Sequence, residues 1–274
     1  MEKFKGKIII SDVDGTYTGS PEGTRKNREA IKYFKDNGGL FTFASGRAEY
    51  TIESVVPEFF ELVNAPAVFA NGSYLYDAEK KIRINEICVD GAFSKKLLLY
   101  INERIPEAKI RINRKEGYLV PDKGVYQELK GYFFNMEVCP LADMPEDGWN
   151  KIVFAAPGDV LERVARLVRE YAPGRYAMTL SCPTLLELLD PEATKGRQIK
   201  HLKKLLGEKW TTYCCGDYEN DEDMLKSADI SVAPSSGMEK IVKMADIVTC
   251  PCSEGTIAYL VERIERDLKN ENIG

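Results

Sequence analysis

Residues 7–16 read KIIISDVDGT. Ile8, Ile9 and Ile10 run into two carboxylates one residue apart, Asp12 and Asp14, followed by Gly15 and Thr16. A β-branched run that ends at glycine predicts a strand buried on both faces. On a strand, Asp12 and Asp14 point to one face. Two like charges so close repel, and neither is stable beside a core strand without a positive partner. A divalent cation with oxygen ligands would supply that charge. Asp-Gly is also a common turn pair, and these ten residues leave both readings open.

The surrounding composition narrows the classes. The chain has 274 residues, 44% of them hydrophobic and 30% charged, with a formal net charge of −5. That length accommodates one large domain or two. No dense Lys/Arg stripe marks a nucleic-acid or anionic-membrane partner. The N-terminus lacks the apolar core of a signal peptide, and no run approaches the roughly 20 apolar residues of a membrane span. The expected location is the cytoplasm. Seven scattered cysteines, without C-x-x-C spacing, predict reduced thiols rather than a disulfide framework. Cys250-Pro251-Cys252 has no second Cys/His pair to complete a zinc site. The one histidine, His201, falls in a predicted helix and reads as a surface or half-buried residue.

Read in order, the chain alternates. A loop over Tyr17–Gly23 leads to a helix capped by Thr24 and running to about Asp36, with Ala30, Ile31 and Phe34 on one face. Leu40–Ala44 reads as a second buried strand ending at Ser45-Gly46-Arg47, followed by a helix over Ala48–Val55. Ala67–Ala70 reads as a third, closing at Asn71-Gly72. This order predicts a doubly wound parallel sheet, whose ligands bind outside the carboxyl ends of the strands. From about Asn85 the pattern changes to mixed α+β. It comprises a helix over Ala92–Glu103, strands near Lys109–Asn113 and Tyr118–Val120, and a helix near Val125–Tyr132. Strands near Asn135–Cys139, Trp149–Ala155 and Tyr176–Cys182 and a helix over Gly158–Tyr171 complete it. Thr184–Leu189 and then a helix from Arg197 to Leu206, a strand over Thr211–Cys215, strands at Asp229–Ala233 and Ile247–Thr249, and helices at Met238–Met244 and Ile257–Lys269 restore the first pattern. The expected organisation is a core of residues 1–84 and 187–274 interrupted by an inserted module of residues 85–186.

Four strand ends carry distinctive polar groups: Asp12 with Asp14, Ser45, Lys195, and Asp217 with Asn220 and Asp221. Residues 217–223 do not form an EF-hand, because Glu222 and Ala228 stand where that loop needs Gly and Glu. Asp12 and Asp217 could jointly hold Mg²⁺, which uses few carboxylates and a substrate phosphate. The Ser45 hydroxyl with nearby backbone N–H groups, including that of Gly46, and the Lys195 ammonium suit phosphate oxygens. An aspartate can form an aspartyl-phosphate, and Asp14 could carry the proton.

In this arrangement the sequence resembles the haloacid dehalogenase superfamily. DVDGT at 12–16, Ser45 within FASGR, Lys195 within ATKG, and GDYENDEDML at 216–225 are similar to its four motifs, in order. The insertion between the second and third motifs, and the Asn71-Gly72 turn, resemble the Cof-type subfamily with a C2B cap (subclass IIB). The resemblance implies an α/β, Rossmann-like core, a cap of α+β structure, Mg²⁺, and hydrolysis of a small phosphorylated metabolite such as a sugar phosphate. On that pattern Asp12 is nucleophile and metal ligand, and Asp14 is the acid–base and a backbone-carbonyl ligand. Ser45, Gly46, Lys195 and Asn220 face phosphate, and Asp217 and Asp221 complete the metal site. Phosphomannomutase-type phosphomutases share the cap class and opening motif, and a non-catalytic phospho-ligand sensor is the other alternative. Tyr17, Tyr218 and the Cys-Pro-Cys loop within Thr249–Gly255 depart from the subfamily pattern. Arg111, Arg114 and Lys123 are the candidate cap residues for substrate choice. Oligomeric state has no sequence signal.

Overall fold

A computed structural model describes residues 2–131, 135–207 and 209–271. The opening strand is Lys7–Ser11. It lies between Thr211–Cys215 and Leu40–Phe43, parallel to both, with Ser11 opposite Cys215 and Phe43. Ile230–Pro234 and Ile247–Thr249 extend the sheet beyond Thr211–Cys215, which gives five parallel strands. Alternation along the opening strand explains its aliphatic run. Ile9 packs with Ile31 and Phe34 of the helix Pro21–Asp36 and with Leu260 of Thr256–Glu271. Ile8 and Ile10 face the opposite layer, with Ile199, Leu202, Met224 and Ile241. A strand covered by helices on both faces has no polar side to show.

Several expected boundaries move for local reasons. The helix expected from Thr24 begins at Pro21, because the Ser20 hydroxyl accepts from the Gly23 N–H at 3.0 Å and Pro21 fits a first helical turn. The expected helix over Ala48–Val55 is a 3₁₀ segment, Glu49–Ser54. Ala67–Phe69 is not a full member of the parallel sheet. It meets the Leu40–Phe43 edge through one bridge, Ala44 to Val68, and pairs antiparallel with Tyr74–Asp77. The cause is a reversal at Ala70 and Asn71, both left-handed, with φ of 50° and 56°.

The inserted segment builds a six-stranded sheet in the order Ala177–Cys182, Leu185–Leu189, Lys151–Ala155, Lys109–Arg114, Gly117–Val120, Met136–Val138. Leu185–Leu189 had been expected to rejoin the core from residue 187. Instead it pairs antiparallel with Lys151–Ala155, so residues 187–189 belong by hydrogen bonding to the inserted sheet. Tyr132, the last residue of the expected helix near Val125–Tyr132, lies outside the described residues, and the helix observed is Lys123–Leu129. Alternation again sorts the side chains. Ile110, Ile112, Ile152, Phe154, Leu186 and Leu188 pack under the helices Gly91–Arg104 and Gly158–Tyr171. Arg111, Asn113, Lys151 and Glu187, one step out of phase, line a cavity against the core.

One amide ties the last helix to the first. Asn27, fully buried, accepts from Ile257 N at 2.8 Å and Ala258 N at 3.1 Å, and donates to the Tyr17 carbonyl at 2.8 Å. Asn27→Ala leaves two buried groups and one part-buried group unpaired and lowers stability by about 3 kcal/mol, from helix capping and buried polar groups together. Urea unfolding checks this as a lower midpoint at unchanged slope. The Cys250–Gly255 loop closes the same corner. Its Ser253 carbonyl accepts from the Ser20 hydroxyl at 2.6 Å, and a Cβ at Gly19 or Gly23 would collide with the backbone of Cys252 and Ser253.

Candidate active site

The parallel strands deliver their carboxyl-end loops to one edge of the sheet. Asp12 follows Ser11, and its N–H donates to the Cys215 carbonyl at 2.8 Å. Its side chain is buried. Lys195 begins the helix Lys195–Leu206, which Thr194 caps by accepting from Arg197 N. The Lys195 ammonium, also buried, donates to Asp12 Oδ1 at 2.7 Å and to Asp221 Oδ1 at 2.6 Å. Asp221 Oδ2 accepts the N–H groups of Asp217 and Tyr218 at 3.0 and 3.2 Å, which sets the turn after Cys215. Asp217 Oδ1 accepts from the Thr16 hydroxyl at 2.8 Å. Gly15 lies beside it at a φ of 84°, where a Cβ would stand 2.4 Å from Asp217 Oδ2. Glycine is required there on both counts.

Asp12, Asp217 and Asp221 each offer an oxygen within 4.8 Å of the others. Burial raises Asp12 well above the usual carboxylate range; Lys195 opposes that rise, and Asp221 and Asp217 add to it. Burial likewise lifts Asp217 to about 6, against the Thr16 hydrogen bond. Burial disfavours the Lys195 ammonium, but Asp12 and Asp221 outweigh it and hold its affinity for the proton above normal. Three carboxylates thus share one resident cation, and an oxygen-only donor set short of positive charge suits a hard divalent ion.

The charge deficit has a measurable consequence without added metal. Folded Asp217, its carboxyl pushed up to about 6 by burial, holds its proton more tightly than the unfolded carboxyl, whose ordinary value is 3.8. The folded state therefore binds the proton more tightly and loses stability as pH rises between those values. In EDTA, Asp217→Asn, which does not titrate, should gain on the wild type by about 2 kcal/mol from pH 4 to 6 and no further above. Urea midpoints at each pH read this difference.

Asp14 stands apart from the cluster. Its half-exposed carboxylate accepts two hydrogen bonds from Arg47, both 2.8 Å. Ser45 is buried, with its hydroxyl accepting from Arg47 N at 3.2 Å. The Gly46 carbonyl accepts from Lys151 at 2.8 Å. Asn220 Nδ2 donates to Asn71 Oδ1 at 3.1 Å. Asp12, Asp14, Gly46, Asp217 and Asn220 line one cavity of about 420 Å³; Lys195 and Asp221 do not line it and are tied to it through their bonds to Asp12 and Asp217. The inserted sheet supplies the roof, through Arg111, Asn113, Lys151 and Glu187. Of the three cap candidates, Arg111 reaches this cavity. Arg114 pairs with Glu116 at 3.5 Å, and Lys123 is exposed. Asn113, Lys151 and Glu187 are site residues beyond those the sequence predicts, although the polar–apolar alternation of KIRINR carries the signal for Asn113.

Residues 9–261 match the sequence model of the haloacid dehalogenase-like hydrolases. The chain belongs to that family and is a hydrolase of its fold, as the four motifs had implied. Among its relatives is the Bacillus subtilis 5-amino-6-(5-phospho-D-ribitylamino)uracil phosphatase YwtE, 22% identical over 94% of this chain and 98% of that one. A haloacid dehalogenase-like hydrolase from Bacteroides thetaiotaomicron superposes with a TM-score of 0.81 at 24% identity, covering 95% of this chain and all of that one. The subclass IIB sugar phosphatase BT4131 gives 0.78 at 18% identity, covering 94% and 99%. These likenesses give the α/β fold with its inserted cap-like sheet. Among the described residues no helix is long and apolar enough to cross a membrane.

Proposed function

We propose that this chain is a Mg²⁺-dependent phosphatase of small phosphorylated metabolites, sugar phosphates or similar monoesters, working in the cytoplasm through an aspartyl-phosphate on Asp12. The observation that carries the reading is a buried aspartate held against a lysine, with two further carboxylates beside it, on the floor of a roofed cavity. Similarity to a named phosphatase supports it. Asp12 and Asp217, backed by Asp221 and with the Asp14 carbonyl oxygen, would hold the cation. When bound, that ion supplies positive charge which keeps the carboxylates ionised and offsets charge on the phosphoryl oxygens.

The remaining steps belong to the side chains. A carboxylate oxygen of Asp12 forms a bond to phosphorus as the ester P–O bond breaks, and Asp14 gives its proton to the leaving alcohol oxygen. Asp14 then takes a proton from water, which attacks phosphorus and releases inorganic phosphate and Asp12. The first step requires a protonated Asp14, hence its separation from Arg47, whose guanidinium then becomes available to the substrate. Lys195 and the Ser45–Gly46 turn hold the phosphoryl oxygens, with Asn220 beside them. Residues 85–189 act as the cap that selects the leaving group.

A phosphate-release screen over phosphorylated metabolites with Mg²⁺ tests the reading. Turnover of a subset is expected, with p-nitrophenyl phosphate as a generic substrate. Binding across the panel without phosphate release would sink it.

A further inference from the structure

The cavity roof carries an ion pair that the proposed chemistry does not use. Lys151 and Glu187 lie on neighbouring strands of the inserted sheet, 2.8 Å apart, each side chain 3% exposed. Taking two opposite charges out of water costs heavily, and apolar replacements of similar volume are often at least as stable. Folding stability therefore does not account for the pair. Its other hydrogen bonds leave the inserted sheet. Lys151 donates to the Gly46 carbonyl at 2.8 Å, and Glu187 Oε2 accepts from Asn71 Nδ2 at 2.5 Å.

Asn71 is where the core loops meet. Its N–H donates to the Ser45 carbonyl at 3.1 Å and its Oδ1 accepts from Asn220 at 3.1 Å. A Cβ on Gly46 would lie 2.8 Å from that Oδ1, so amide and turn are in direct contact. On the next residue, Gly72, a Cβ would overlap the Thr194 carbonyl that precedes Lys195. Two successive left-handed non-glycine residues, Ala70 and Asn71, are sparsely populated and persist only where the surroundings enforce them.

We propose that Lys151 and Glu187 are positioning residues, which dock the cap onto the Gly46 carbonyl and the Asn71 amide and thereby set Ser45, Gly46 and Asn220 for the phosphoryl group. The role of those loops rests on the phosphatase reading above; the docking does not. Of the pair's own bonds, a cap that lifts keeps the one between Lys151 and Glu187 and breaks those to Gly46 and Asn71. Both charges are satisfied by core groups in the docked state alone, so docking and loop geometry are set together.

The double variant Lys151→Met, Glu187→Leu removes both charges and both bonds to the core while keeping apolar volume. Its expected Tm is no lower than that of the wild type. The kcat for p-nitrophenyl phosphate with Mg²⁺ falls about ten- to a hundred-fold, the scale of small misplacements, and KM moves less than about threefold. Asn71→Gly keeps the left-handed turn and cuts the Glu187 link from the core side together with the bond from Asn220, with a fall at least as large. The triple variant loses less than the product of the two separate falls, since both changes break the Glu187–Asn71 bond. Wild-type kcat in the double variant, or losses that multiply in the triple variant, overturn the inference. If the double variant does not fold, Asn71→Gly decides alone, and an unchanged kcat overturns it. A wild-type protein inactive on every phosphomonoester defeats only the phosphatase reading. Docking is then read from backbone amide exchange of residues 45–47, expected faster in whichever of the two variants folds, with unchanged exchange as the contrary result.

Discussion

Asp12→Asn is expected to lower kcat for p-nitrophenyl phosphate by about 10⁴-fold or more, the scale seen when a covalent nucleophile is removed. KM should change little, because Lys195, the Ser45–Gly46 turn and Asn220 all remain. The same substitution should leave Tm unchanged or raise it. Burial and the two neighbouring carboxylates disfavour the charged form of Asp12 in the folded protein, and an amide of equal size carries no charge to desolvate. Lys195 keeps its bond to Asp221 at 2.6 Å, so no ammonium is stranded. A large activity loss without a stability loss would place Asp12 among residues whose function opposes stability. Undiminished turnover would remove the nucleophile assignment and the intermediate with it. Phosphate-release kinetics and a thermal melt on one preparation give both readings.

The floor of this site was legible from the sequence and the roof was not, for a physical reason. In a parallel sheet the loops that face a ligand follow the strand C-termini. Asp12, Ser45 and Asp217 therefore collect at one edge by sequence pattern alone; Lys195 reaches it too, although the strand before it, Leu185–Leu189, pairs in the inserted sheet. For the inserted segment, alternation in KIRINR separates Arg111 and Asn113 from Ile110 and Ile112, but nothing local says which face meets the core. LLELL at 185–189 reads as a core strand because four of its five residues are apolar. Glu187 is tolerated there because Lys151, 36 residues earlier, neutralises it. The turn at Asn71 has the sequence of a parallel strand's end, because the left-handed backbone at Ala70 and Asn71 is held by contacts distant in sequence rather than by glycine. Ser20 followed by Pro21 is a local cap signal, stronger than Thr24.

Lys195→Met should be the most destabilising single change at this site. The ammonium is fully buried between Asp12 and Asp221, with Asp217 close behind. Methionine retains the length of the side chain but strands three carboxylates without a cation. Removing one member of a buried ion pair costs about 3–5 kcal/mol, since the partner charge stays in place. For a chain of this size that corresponds to a Tm lower by about 10 °C. The loss should depend on solution conditions in a way that packing defects do not. The variant's Asp12, already raised by burial, loses the one group that opposes the rise. A carboxyl raised above its unfolded value binds its proton more tightly when folded, so the deficit grows as pH rises above the unfolded value and shrinks as pH falls toward it. Millimolar Mg²⁺ should recover part of the Tm by supplying positive charge to the same oxygens, while kcat stays low because the phosphoryl oxygens still lack the ammonium. Melts of wild type and Lys195→Met at pH 5 and 8, in EDTA and in Mg²⁺, separate these terms. A Tm difference that is the same under all four conditions would mean that lost packing, rather than uncompensated charge, is what the substitution removes.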